Sequence, residues 1–155
     1  MICLIIDDNA LKTEQLATLV KETVPDVQIE TRRSYQSGLK YLLSEHADLV
    51  LLDMTMPTYD VTVKEKGGRQ RAFAGRDILD ELKRRSIVVP VVIATQFETF
   101  GDDKKSLSQL CKELENDFPD IYLGTIYYNT KLSEWRDSLI RTSLKIANNL
   151  EEPND

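Results

Sequence analysis

Apolar residues run through this chain in two rhythms. Short, nearly unbroken apolar runs occupy positions 2–6, 27–31, 49–52, 88–94 and 121–127. Between and after them, apolar positions recur every three or four residues, over 10–24, 35–43, 77–85, a segment ending near Phe118, and 131–150. The first rhythm belongs to strands buried on both faces, the second to helices with one buried stripe. Leu107, Leu110, Cys111, Leu114 and Phe118 form the most regular stripe. On the third helix, Asp80 precedes Arg84 by four residues and Glu81 precedes Arg85 by four, a spacing that supports a solvated helical face.

Strand and helix therefore alternate as (βα)₅, which predicts an α/β fold with a doubly wound parallel sheet covered on both sides. In such folds the functional crevice lies outside the carboxyl ends of the strands. Residues placed there carry chemistry: Asp7 and Asp8 after the first strand, Asp53 after the third, Thr95 after the fourth and Lys131 after the fifth. One polar residue at a strand end is ordinary. Four strands delivering these types to one edge are not.

Positions 1–150 read as one domain, and 151–155 as a polar tail with no second domain expected behind it. Two stretches depart from a minimal alternation. Between the third strand and its helix, residues 58–74 exceed the usual connection of about 2–6 residues. Alternating runs on either side of Gly67-Gly68 read as an inserted hairpin whose base lies beside the Asp53 edge. From Thr58 to Arg76 there are five basic residues against two acidic ones, on a chain whose net charge is −6. The fourth helix reads as long, and it turns at 116–119 into an aromatic-rich last strand.

The acidic balance disfavours direct contact with nucleic acid. No apolar run nears the about 20 residues that cross a bilayer. The apolar start runs straight into Asp7 and Asp8, unlike a secretory leader. Cys3 and Cys111 have no metal-ligand spacing and read as reduced core residues, so a cytoplasmic location is expected. The single histidine, His46, sits at a helix end and reads as a surface or capping residue, which makes a Ser-His-Asp hydrolase a poor fit.

Three carboxylates gathered at one strand edge repel one another unless a cation enters. Oxygen-rich sites of this kind suit Mg²⁺. Asp53 could then attack phosphorus to form an aspartyl phosphate, with Lys131 as a fixed positive charge and Thr95 as a hydroxyl within reach. Each residue alone could equally be a cap or a solvated side chain.

Leu4-Ile5-Ile6-Asp7-Asp8, the strand from Asp48 to Asp53 followed by Met54-Thr55-Met56-Pro57, Val92-Ile93-Ala94-Thr95 and Tyr128-Asn129-Thr130-Lys131 together resemble the receiver domains of response regulators. The resemblance implies a flavodoxin-like sheet of order 2-1-3-4-5 over nearly the whole chain. It implies Asp53 as phosphoacceptor, Asp7, Asp8, Asp53 and the Thr55 backbone carbonyl as Mg²⁺ ligands, and Thr95 and Lys131 as catalytic partners. Thr95 and Tyr128 are the implied switch pair. The implied partners are a sensor histidine kinase or histidine phosphotransfer domain and a downstream effector or output domain, with homodimerisation open. The implied catalysis is confined to the protein's own aspartate, so it is not an enzyme acting on a separate substrate.

Departures from the family pattern are specific. Leu132 stands where proline usually follows the lysine, and Gln96 where a small residue usually follows the threonine. A dehalogenase-type phosphatase would need an acid at Thr55, flavin binding is opposed by Asp7-Asp8, and no P-loop is present. The remaining alternative is a receiver-like interaction module that works without phosphorylation.

Overall fold

The computed structural model describes residues 1–60 and 70–151. The main sheet contains β1 (Ile2–Ile6), β2 (Gln28–Arg32), β3 (Leu49–Leu52), β6 (Val91–Thr95) and β9 (Tyr122–Tyr127) in the order β2-β1-β3-β6-β9. Every neighbouring pair is parallel. Counting only its own strands, this is the expected order 2-1-3-4-5. The crossovers are α1 (Ala10–Thr23), α2 (Tyr35–Ser44), α3 (Ala74–Arg84) and α4 (Leu107–Asp117), and α5 (Glu134–Glu151) follows the last strand.

Strand alternation divides the core into two layers. Leu4, Ile6, Val50, Leu52, Val91 and Ile93 face Ile78, Leu79 and Leu82 of α3 and Leu110 and Leu114 of α4. Cys3, Ile5, Leu49, Leu51, Val92 and Ala94 face Leu16, Leu19 and Val20 of α1 and Trp135, Leu139 and Ile146 of α5. Both faces of the central strands are thus apolar, which explains why those strands read as continuous runs rather than alternations. Caps fix where the helices begin. Asn9 accepts from the Lys12 N–H, and Ser34 with Ser37 and Ser106 with Gln109 form reciprocal capping boxes.

The structure changes several sequence boundaries. The fourth strand of the sheet begins at Val91 rather than position 88, where Val88 is 69% exposed. Helix α3 begins at Ala74, three residues earlier than its charge pattern suggested. The fourth helix is not long. It spans 11 residues, and the extra chain before it forms a small antiparallel pair, β7 (Thr99–Phe100) with β8 (Lys105–Ser106). The expected hairpin arms over 61–69 lie outside the described residues. Their base does not: β4 (Met56–Pro57) pairs antiparallel with β5 (Gln70–Arg71). Of the insert's basic residues, Arg71 is engaged within the chain, 2.7 Å from Asp77 and stacked over Tyr35.

Gly75 fixes the exit of β3. A Cβ there would lie 2.6 Å from the Asp53 carbonyl oxygen, and the Gly75 N–H donates to the Met54 carbonyl at 3.0 Å. Only a residue without a side chain lets α3 start this close to Asp53.

Candidate functional site

Asp7 ends β1, and its Oδ1 accepts from the Asn9 N–H at 2.8 Å as the chain turns into α1. Asp53 follows β3, with Oδ1 accepting from the Met54 N–H at 2.8 Å. Both side chains are buried, and Asp8 beside them is partly so. Oxygens from Asp7, Asp8 and Asp53 all lie within 4.8 Å of one another. The first three acids of the expected site therefore converge, placed by two adjacent parallel strands that end at the same level. The insert's base touches the same edge, where Gln70 donates to Asp8 Oδ2 at 3.3 Å.

Burial drives the electrostatics. Asp53 is pushed up from 3.8 to about 7 by desolvation, with Asp7 raising it further and a neighbouring ammonium pulling it down. Asp7 is raised for the same first reason. Two oxygens, Asp7 Oδ2 and Asp53 Oδ2, are buried, and among the described residues only a buried ammonium pairs with them, at 2.7 and 3.3 Å. Paired carboxylate oxygens with free lone pairs, close to a third carboxylate, suit a hard divalent cation, so Asp7, Asp8 and Asp53 fit Mg²⁺.

Thr95 closes β6 and is fully buried, its Oγ1 accepting from the Phe97 N–H at 3.2 Å. The Thr55 hydroxyl donates to the Ala72 carbonyl at 3.0 Å, tying the loop after β3 to the returning insert.

Two expected residues take other places, Lys131 at the surface and Tyr128 behind the acids with its ring 6.0 Å from the Lys12 ammonium. Lys131 is exposed, its backbone N–H bonded to Asn129 Oδ1, and among the described residues it makes no ion pair. Tyr128 points to the opposite side of the sheet from α4. It packs on Trp135 at 4.9 Å between ring centroids, and its hydroxyl donates to Gln15. A register shift sets the face that Tyr128 takes: Val91 pairs with Tyr122 but Val92 with Gly124, so Leu123 is an extra residue. One inserted residue flips the alternation that follows. Tyr127 consequently pairs with Thr95, and its hydroxyl donates to Glu98 at 3.2 Å.

Sequence reasoning missed Lys12. Its side chain is fully buried, with Nζ 2.7 Å from Asp7 Oδ2 and 3.3 Å from Asp53 Oδ2. Nζ also donates to the Ala94 carbonyl at 2.6 Å and to Gln96 Oε1 at 3.0 Å. The signal was present. Lys12, Leu16, Leu19 and Val20 share one helical stripe, so a lysine occupied a position where the pattern demanded an apolar residue.

His46 is exposed and paired with Asp48 at 2.7 Å, and both cysteines are free, Cys3 in the core and Cys111 half-buried. No helix among the described residues is long and apolar enough to cross a membrane.

This sheet order, with an acid pair after the first strand and a buried aspartate after its central neighbour, defines the receiver class of signalling domains. The family profile of the response regulator receiver domain matches residues 3–110, and the chain belongs to that family. A curated relative from Enterobacter cloacae (strain JD6301), the Detocs response regulatory protein DtcB, is 34% identical over 142 residues, covering 89% of this chain and 95% of its own. Among solved structures, the cyanobacterial phytochrome response regulator RcpA in its phosphorylated form superposes with a TM-score of 0.66 at 17% identity, over 99% of this chain and 98% of that one. The receiver domain of Francisella response regulator 1452 gives 0.65 at 17% identity, over 97% and 98%. These two show the fold.

Proposed function

We propose that this protein is a phospho-accepting receiver that takes a phosphoryl group on Asp53 in a Mg²⁺-dependent reaction and passes the signal through a protein-interaction surface. The observation that carries the reading is the Asp53 carboxylate itself. It is buried at the strand edge with Oδ1 held by the Met54 N–H, Oδ2 facing the Lys12 ammonium at 3.3 Å, and Asp7 and Asp8 within metal-sharing distance.

Oδ2 is then the nucleophile. It forms a bond to the donor's phosphorus while the bond from phosphorus to the donor's nitrogen or acyl oxygen breaks, and that electron pair leaves with the donor. Mg²⁺, held by Asp7, Asp8, Asp53 and the Thr55 carbonyl, would offset charge on the phosphoryl oxygens. Thr95 Oγ1 already accepts from Phe97, so its own hydrogen is free to donate to a phosphoryl oxygen. The natural donor is a sensor histidine kinase or histidine phosphotransfer domain, in a cytoplasmic relay with a downstream protein effector. The protein turns over only its own aspartate.

The test is incubation with acetyl phosphate and Mg²⁺, followed by intact mass measurement. One added phosphoryl group is expected in the parent and none in Asp53→Ala or in excess EDTA. A parent that never gains the group, or an Asp53→Ala variant that still does, sinks the proposal.

A further inference from the structure

Lys12 is the one fully buried cation among the described residues, and it lies in the apolar stripe of a helix. An ammonium in such a place carries a large desolvation penalty unless oxygens replace its water. Here four do: the Ala94 carbonyl, Gln96 Oε1, Asp7 Oδ2 and Asp53 Oδ2, with the Tyr128 ring 6.0 Å away. Helix packing alone gives no reason for the charge, since an apolar residue at this position would continue the stripe of Leu16, Leu19 and Val20. The reason lies at the acceptor. On Asp53 the ammonium faces Oδ2, the oxygen proposed to take the phosphoryl group.

Two departures from the family pattern then share one explanation. Lys131, at the usual lysine position, is exposed and outside the centre. Gln96, long where the family is small, supplies a neutral oxygen that holds the Lys12 ammonium in place. We infer that Lys12 has replaced Lys131 as the cation of the phosphoryl site, balancing Asp7 and Asp53 at rest and meeting the phosphoryl group after transfer, with Gln96 as its positioning residue. This rests on the receiver reading above and deepens it. Because Ala94 and Gln96 flank Thr95, any shift of the ammonium toward a phosphoryl oxygen pulls on the end of β6 from both sides of the switch hydroxyl.

The experiment compares Lys131→Ala, Lys12→Met and Lys12→Arg with the parent in two assays. In the first, acetyl phosphate and Mg²⁺ are supplied and the rate of phosphoryl incorporation is followed by mass. Lys131→Ala, a surface change that leaves folding intact, should match the parent within about twofold. Lys12→Met should lose at least about tenfold, the effect of one unit charge a few ångströms away in a partly wet site. Lys12→Arg should recover part of that loss. In the second assay, calorimetric Mg²⁺ titration without any donor, Lys12→Met should bind Mg²⁺ at least about tenfold more tightly, because the ammonium no longer competes for Asp7 and Asp53.

A tenfold loss in Lys131→Ala overturns the inference. So does a Lys12→Met protein with parental circular dichroism whose Mg²⁺ affinity is unchanged or weaker. If the parent takes no phosphoryl group, the receiver reading falls by itself, and the titration still decides whether Lys12 is the resident counter-ion of this acid cluster.

Discussion

Replacing Asp53 with asparagine should stabilise the metal-free protein, and should do so most where the native Asp53 is ionised. In the native state the Asp53 carboxyl is pushed up to about 7, chiefly by burial, against an ordinary 3.8. Between these two values the folded protein holds a proton that the unfolded chain has released. Stability therefore falls as pH rises through that window and has fallen fully above it. At about 1.4 kcal/mol per pH unit, the whole window amounts to roughly 4 kcal/mol, which is a ceiling. Asparagine keeps the Met54 N–H bond through Oδ1, but it gives up the 3.3 Å contact with the Lys12 ammonium and turns an amide toward it. A net gain of about 1–2 kcal/mol remains, raising Tm by roughly 2–8 °C for a domain of this size. Thermal unfolding in EDTA, at pH 8 and pH 5, reads this directly. The gain should be full at pH 8 and clearly smaller at pH 5, which lies only about a third of the way from 3.8 to 7. Asp7 titrates in both proteins, so its contribution cancels to first order. An Asp53→Asn variant less stable than the parent at pH 8 would refute the reasoning, as would an equal gain at both pH values.

Saturating Mg²⁺ should raise the parent's Tm reversibly, since ligand at a hundredfold excess over Kd contributes about 2.7 kcal/mol when only the folded state binds it. An unmoved Tm would mean that the three acids do not form a metal site. Gly75→Ala should cost roughly 1–3 kcal/mol in urea unfolding, because its Cβ meets Asp53 backbone rather than a yielding side chain. A variant as stable as the parent would show that α3 does not constrain the acceptor. Gln96→Ala, which frees space and the Lys12 ammonium, should shorten the lifetime of the aspartyl phosphate. A lifetime equal to or longer than the parent's would show that Gln96 neither positions the cation nor crowds the site.

The fold was legible because parallel-sheet physics writes itself into local patterns. Cys3–Ile6 and Leu49–Leu52 are buried on both sides, so they had to be apolar throughout, and their runs matched the observed strands. Boundaries slipped where an apolar residue served no core. Val88 extended the pattern of the fourth strand of the sheet although it faces solvent. The supposed long fourth helix failed for a related reason: 99–106 carries too few apolar positions to distinguish a helical turn from the small β7–β8 pair.

The site was legible wherever a residue stands directly after a strand, because the backbone of a parallel sheet sends all such residues to one edge. Asp7, Asp8, Asp53 and Thr95 are of this kind. Lys131 is not held by any strand; it follows β9 by several residues, and where its side chain goes depends on a loop in which Leu132 replaces the usual proline. Tyr128 could not have been placed either, since a single extra residue at Leu123 decides which face receives it, and no local propensity announces that bulge. Lys12 was the opposite case. Its position was fully determined by the helical stripe, and only its residue type was discordant. A polar residue in a confidently apolar register is where sequence reading should expect a site, because burial of a charge has no local justification and must be answered by partners from elsewhere in the fold. Here those partners are two strand ends away, and they are the acids that the receiver chemistry requires.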